Sequence, residues 1–263
     1  MDRNWRWGAA VVLGLASLPA LAAMKTRPVE WQLDGTPFSG VLVYDDKGPA
    51  RRPGVVMVPN WKGVNAAAID RARTIAGDHY VVLVADVYGK NLRPRDNTQA
   101  AAAAQPLLKD RALLRGRAHK ALEVLKAQAG NAPLDASRIA AVGFCFGGST
   151  VLEMARAGMP LAAVVSFHGG LATPMPAAAH SGKVPLLVLN GAADRNVSAA
   201  DIATFEAEMD AAGADWQFVN FSGAVHCFAE ADADSPPGCM YDPRAAKRAW
   251  KMMGNFLEER LGH

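Results

Sequence analysis

The stretch GFCFGG, Gly143–Gly148, places a cysteine between small residues directly after the apolar run RIAAV. RIAAVGF (138–144) reads as a strand covered on both faces, and STVLEMARAG reads as the helix that follows. A strand, a tight turn and a helix with small flanking residues form a nucleophile elbow. Such a turn is strained, and side chains at Gly143 or Gly147 would collide with neighbouring elements. The strain lifts the side chain of Cys145 into a cleft at the carboxyl edge of the sheet. The helix start behind it presents a positive dipole end, which favours a thiolate or an oxyanion. The alternative is a small buried core cysteine in a glycine turn.

Working outward, strands and helices alternate. VEWQL and FSGVLVYDD predict an opening hairpin turning at Asp34-Gly35. PGVVMVP (53–59) and YVVLVADVY (80–88) predict buried strands, with a helix between them capped by Asn65 and ended by Gly77. The alanine-rich segment 97–129 predicts helix, split or kinked at Pro106. LAAVVSF and VPLLVLN predict two more strands. Ser198 caps a helix running to Gly213, DWQFVNF is a last strand, and Pro243 opens a final helix to about Leu261. This order predicts an α/β fold, a mostly parallel sheet with helices on both faces in three layers. The acidic, proline-containing segment 229–244 is expected to be a surface loop.

If Cys145 is a nucleophile, it needs a base and an orienting acid. Asp194 follows the strand VPLLVLN, and His226 follows DWQFVNF. Both fall in loops at the same sheet edge as Cys145, in the chain order nucleophile, acid, histidine. His226 would take the thiol proton, and Asp194 would hold the imidazole. His79, His119, His180 and His263 sit in positions that compete poorly. His168, after VVSF, also reaches the active edge and is expected to line the pocket. An oxyanion hole would use the backbone N–H groups of Phe146 and, after VVMVP, of Trp61. The bland readings are a turn aspartate and a solvated loop histidine.

The chain has 263 residues, 51% of them hydrophobic and 20% charged, with a net charge of +3. That suffices for a large core without metal or disulfide framework. No basic block asks for nucleic acid. Arg3 and Arg6, the apolar run GAAVVLGLASL and the small residues to Ala22 read as a secretory leader, 1–22, ahead of one domain, 23–263. The alternative, an uncleaved anchor, needs an apolar run of about 20 residues. The mature chain is thus expected to be exported, periplasmic and free of the membrane. Of Cys145, Cys227 and Cys239, the last two could pair, leaving Cys145 free; spacing alone leaves that open.

VVMVPNWKGVN, ADVYGK, GFCFGG, LNGAAD and GAVHCF together resemble the dienelactone hydrolase family of α/β hydrolases. The resemblance implies a cysteine hydrolase that opens a small ester or lactone through a thioester acyl-enzyme, without cofactor or metal. By position it implies Cys145, Asp194 and His226 as the triad. It also draws Asn60, Lys90 and Glu230 to the substrate pocket, beside Trp61 and His168, which their loop positions already place there. Asn60 stands where family members carry a glutamate that engages the resting thiol. Lys90 and Glu230 stand where arginines hold a substrate carboxylate; lysine loses the bidentate fork, and glutamate reverses the charge. An uncharged ester or lactone is therefore expected in place of a carboxylate-bearing dienelactone. The alternatives carried forward are a catalytically weak small-molecule-binding protein on the same scaffold and a thiol redox protein, the latter without a C-x-x-C motif.

Overall fold

The computed structural model describes residues 24–262; the expected leader lies outside the described residues. β1 (Met24–Leu33) and β2 (Thr36–Asp45) form the opening hairpin. Its two turn residues, Asp34 and Gly35, both have positive φ, 49° and 74°, which matches the twist of the flanking strands. β2 runs antiparallel to β4 (Val81–Val84). From β4 onward every pairing is parallel, through β3 (Arg52–Val58), β5 (Leu134–Phe144), β6 (Ala163–Phe167), β7 (Leu186–Gly191) and β8 (Trp216–Phe221). The eight-stranded order is β1-β2-β4-β3-β5-β6-β7-β8.

The central strands are apolar throughout because both faces are covered. In β3, Val56 and Val58 join the core on one face, and Val55 and Met57 join the core on the other. Side chains alternate across a strand, so one apolar run feeds two cores. The first face packs against α2 (Asn97–Lys109), α3 (Arg111–Lys126), α4 (Phe146–Arg156) and α5 (Ala199–Ala212). The second packs against α1 (Ala66–Ala76) and α6 (Pro243–Leu261). Caps follow the sequence: Asn65 accepts from Ala68 N–H, and Ser198 forms a reciprocal capping box with Asp201.

Three local expectations are corrected. The strand expected over 80–88 ends at Val84. Asp86 ends it, because its carboxylate accepts from the N–H groups of Ser39, Tyr88 and Gly89 and pulls the chain into a turn. Pro106 lies inside α2, and the break comes at Asp110 instead. There the Asp110 N–H closes α2 on the Pro106 carbonyl while its carboxylate accepts from Leu113 N–H to open α3. The segment 229–244 is not simply a surface loop. Ala229 and Glu230 are buried, and the segment carries a small hairpin, β9 (Asp234–Ser235) with β10 (Cys239–Met240).

Candidate active site

Cys145 sits between β5 and α4 with φ 54° and ψ −117°. A non-glycine residue there costs roughly 1–3 kcal/mol, and such strain concentrates at functional sites. The flanking glycines make the turn possible. A Cβ on Gly143 would lie 2.0 Å from the Gly147 carbonyl oxygen, and one on Gly147 would lie 1.9 Å from the Val58 carbonyl oxygen. The Cys145 side chain makes no capping bond to α4, and as first residue of that helix Phe146 has no intrahelical acceptor for its N–H. The thiol is free and partly exposed.

The loops after β7 and β8 bring the other two groups to the sulfur. The N–H groups of Ala192 and Ala193 donate to Phe221 O and Ala224 O, both at 2.9 Å. Gly191 permits that approach, since a Cβ there would lie 2.5 Å from Ala224 O. Asp194 is thereby set beside His226, with Oδ2 at 2.7 Å from Nδ1, and Nε2 lies 3.0 Å from Cys145 Sγ. The Asp194 side chain is fully buried, and Asn196 N–H holds its other oxygen at 2.9 Å. Burial works against a charge on His226. The bonds to Asp194 and Cys145, with the negative charge of both, outweigh it and push the imidazole pKa up to about 10.

His168 is a correction. It is fully buried beneath the elbow and is not part of the cleft wall. Its own N–H continues the sheet ladder to Leu189 O, and a φ of 38° turns the residue inward. Nδ1 there accepts the Cys145 N–H at 3.1 Å, alongside Phe167 O at 3.0 Å. Burial, then the neighbouring His226 and Arg71 charges, hold its pKa well below the usual imidazole value. A neutral ring suits an acceptor role at Nδ1.

Lys90 is a second correction. Its Nζ pairs with Glu30 Oε1 at 2.6 Å and borders a separate surface cavity beside Trp31 and Phe38. The reason is local: Lys90 N–H bonds Pro37 O at 2.7 Å, which draws the residue onto the hairpin.

Trp61 and Phe146 line a cavity of about 460 Å³ that reaches Cys145 and His226. Among the described residues its further lining includes Ala104, Leu108, Ser149 and Gly170, and no Lys, Arg, Asp or Glu. Asn60 and Glu230 border a smaller cleft of about 180 Å³ that also reaches Cys145. Glu230 is 2% exposed, so it forms the floor of that cleft. Asn60 Nδ2 donates to Glu230 Oε2 at 2.5 Å, and Arg71 Nη2 donates to the same oxygen at 2.6 Å. Burial raises the Glu230 pKa, against the opposing pull of Arg71 and Asn60.

Sequence reasoning missed Arg71, Tyr88 and the far wall. Tyr88 donates its hydroxyl to Trp61 O at 3.0 Å. Ser235, Gly238 and Cys239 wall the main cavity. Cys227 and Cys239 are joined as a disulfide, and Met240 N–H bonds His226 O at 3.1 Å. The proximity of Cys227 to His226 was the available signal. Among the described residues no group of His, Cys, Asp and Glu could hold a metal ion, and no helix is long and apolar enough to cross a membrane.

Known proteins share this architecture. A protein named m3DLH is 38% identical, with a TM-score of 0.85 over 91% of this chain and 99% of that one. A dienelactone hydrolase-like promiscuous phosphotriesterase from metagenomic libraries is also 38% identical, with a TM-score of 0.84 over 91% of this chain and all of that one. A probable 2-oxo-3-(5-oxofuran-2-ylidene)propanoate lactonase from Bradyrhizobium sp is 27% identical over 241 residues, 87% of this chain and 93% of the relative. The family model described as the dienelactone hydrolase family matches residues 38–261. With its parallel sheet, its elbow and a match across most of its length, this chain is an ester-acting hydrolase of the dienelactone hydrolase family.

Proposed function

We propose that the protein is a cysteine hydrolase of small, uncharged esters and lactones, working through Cys145, His226 and Asp194. The observation that carries this reading is the line from Asp194 through His226 to the sulfur, at 2.7 and 3.0 Å, opening into an apolar cavity. An imidazolium at that distance donates to the sulfur, which readies it as the nucleophile.

The sulfur attacks the acyl carbon, a C–S bond forms, and the carbonyl electron pair moves to oxygen. That oxyanion is met by the N–H groups of Trp61 and Phe146, a stabilisation commonly worth about 10²–10³ in rate. Collapse breaks the C–O bond, and His226 gives its proton to the leaving alkoxide. In a lactone the alcohol stays tethered to the acyl group. The thioester carries no charge on sulfur, so one of the influences that raised the His226 pKa is gone. The neutral imidazole can then take a proton from water, whose oxygen attacks the thioester. Expulsion of the sulfur releases the acid and restores the resting site. Nothing in this cycle calls for a cofactor.

An uncharged substrate follows from the absence of Arg and Lys in the main cavity and from Lys90 being held at Glu30. The 38% identical phosphotriesterase relative supports adding neutral phosphotriesters as a second substrate class. Export to an oxidising compartment remains part of the proposal; the Cys227–Cys239 disulfide supports it.

The test is a panel of p-nitrophenyl esters, neutral lactones, a neutral phosphotriester and a carboxylate-bearing dienelactone. The neutral esters and lactones should turn over at least tenfold better in kcat/KM than the carboxylate. Cys145→Ala should lose all of it. Preference for the carboxylate, or activity surviving in Cys145→Ala, rules the reading out.

A further inference from the structure

The loop carrying the Trp61 N–H is held from behind. Gly63 N–H bonds the Asn60 carbonyl at 2.9 Å, and Lys62 N–H bonds Asn60 Oδ1 at 3.0 Å. In a planar trans peptide the N–H points opposite the C=O. Fixing the Asn60 carbonyl therefore fixes the direction of the Trp61 N–H. The remaining handle on Asn60 is its Nδ2, which donates to Glu230 Oε2 at 2.5 Å. Glu230 itself is buried and anchored. Arg71 Nη2 donates to the same oxygen at 2.6 Å, and the Glu230 N–H bonds Cys227 O at 2.9 Å, one residue beyond His226. One residue thus joins the loop of the proposed oxyanion hole, through its carboxylate, to the loop of the proposed base, through its backbone. Its other oxygen, Oε1, has no hydrogen-bond partner among the described residues and lies 3.7 Å from His168 Nε2, beneath the elbow. A buried polar contact of this kind is stronger and more direction-setting than one in water.

We propose that Glu230 is a positioning residue: acting through Asn60, it aims the Trp61 N–H at the oxyanion while taking no part in bond making. The proposal rests on the hydrolase reading above. Misplacement of a transition-state donor by about 1 Å can cost about 10² in rate.

Two rates separate this role from a general structural one. Ester hydrolysis passes through an oxyanion; alkylation of Cys145 by iodoacetamide needs the sulfur and His226 but forms no oxyanion. In Glu230→Ala, kcat for p-nitrophenyl acetate should fall about 10–100-fold with KM within about threefold. Asn60→Ala should match it, and the double variant should be no worse than the worse single one. Glu230→Gln, which still offers Asn60 an oxygen, should retain more activity than Glu230→Ala. The alkylation rate should stay within about twofold in every variant. An unchanged kcat, losses that multiply in the double variant, or alkylation falling in step with hydrolysis would each overturn the proposal. Should Glu230→Ala fail to fold, Asn60→Ala at its partly exposed site decides on kcat and alkylation alone. A wild-type chain without esterase activity would instead sink the hydrolase reading itself.

Discussion

At the scale of single residues, His226 is the group whose chemistry depends most on its neighbours. Burial opposes its charge, while bonds to Asp194 and Cys145 favour it, and the balance lifts its pKa to about 10. The sign of the dependence is open to measurement. Cys145→Ala deletes both the hydrogen bond and the charge of the sulfur, so the His226 pKa should drop. In an NMR titration the wild-type imidazole should remain protonated beyond pH 8, whereas the variant should lose its proton at a clearly lower pH. An identical titration in both would mean that sulfur and imidazole are not paired. His168, by contrast, is kept neutral by burial and accepts the Cys145 N–H. Two adjacent histidine rings, 5.1 Å apart, thus shift in opposite directions, because one has a carboxylate and a sulfur beside it and the other is wholly buried near the His226 and Arg71 charges.

At the scale of elements, the site depends on α4 starting hard against β3. Gly147 is where the two backbones meet, and Gly147→Ala would force a Cβ to 1.9 Å from Val58 O. Backbone cannot yield as a flexible side chain does, so this variant should lose several kcal/mol of stability or fail to fold. Gly116 lies in the exposed interior of α3, where an added Cβ would meet no atom within 4 Å. Gly116→Ala should therefore stabilise the protein by about 0.5–1 kcal/mol in chemical denaturation. Equal effects at both positions would contradict the packing described here. The elbow was legible in sequence because its glycines, strand and helix are contiguous. The strand after Tyr80 was misjudged because Asp86 acts on Ser39, a partner 47 residues away. Pro106 was misjudged because Asp110 satisfies both helix ends at the break.

At the scale of the whole molecule, the chain order Cys145, Asp194, His226 was readable because parallel strands deliver successive loops to one edge. Contacts spanning the chain were not. Asn60 and Glu230 are 170 residues apart, and Arg71 meets Asp232 across 161; neither pair leaves a periodic trace. Lys90 followed the hairpin instead of the cleft for the same reason. The Cys227–Cys239 disulfide closes the loop that walls the cavity. Since neither sulfur is the proposed nucleophile, Cys227→Ala with Cys239→Ala should keep most of the esterase activity. Its cost should appear in stability, about 2–4 kcal/mol. A loss of activity as complete as in Cys145→Ala would assign those cysteines a chemical role.

The central claim is that Cys145 forms a covalent bond with the acyl group. The most direct measurement is intact-protein and peptide mass spectrometry after rapid quenching with an activated p-nitrophenyl ester. One acyl group should be added per chain, located on Cys145 and absent from Cys145→Ala. Turnover of the ester with no acylated chain under rapid quench, or with the adduct on another residue, would contradict it.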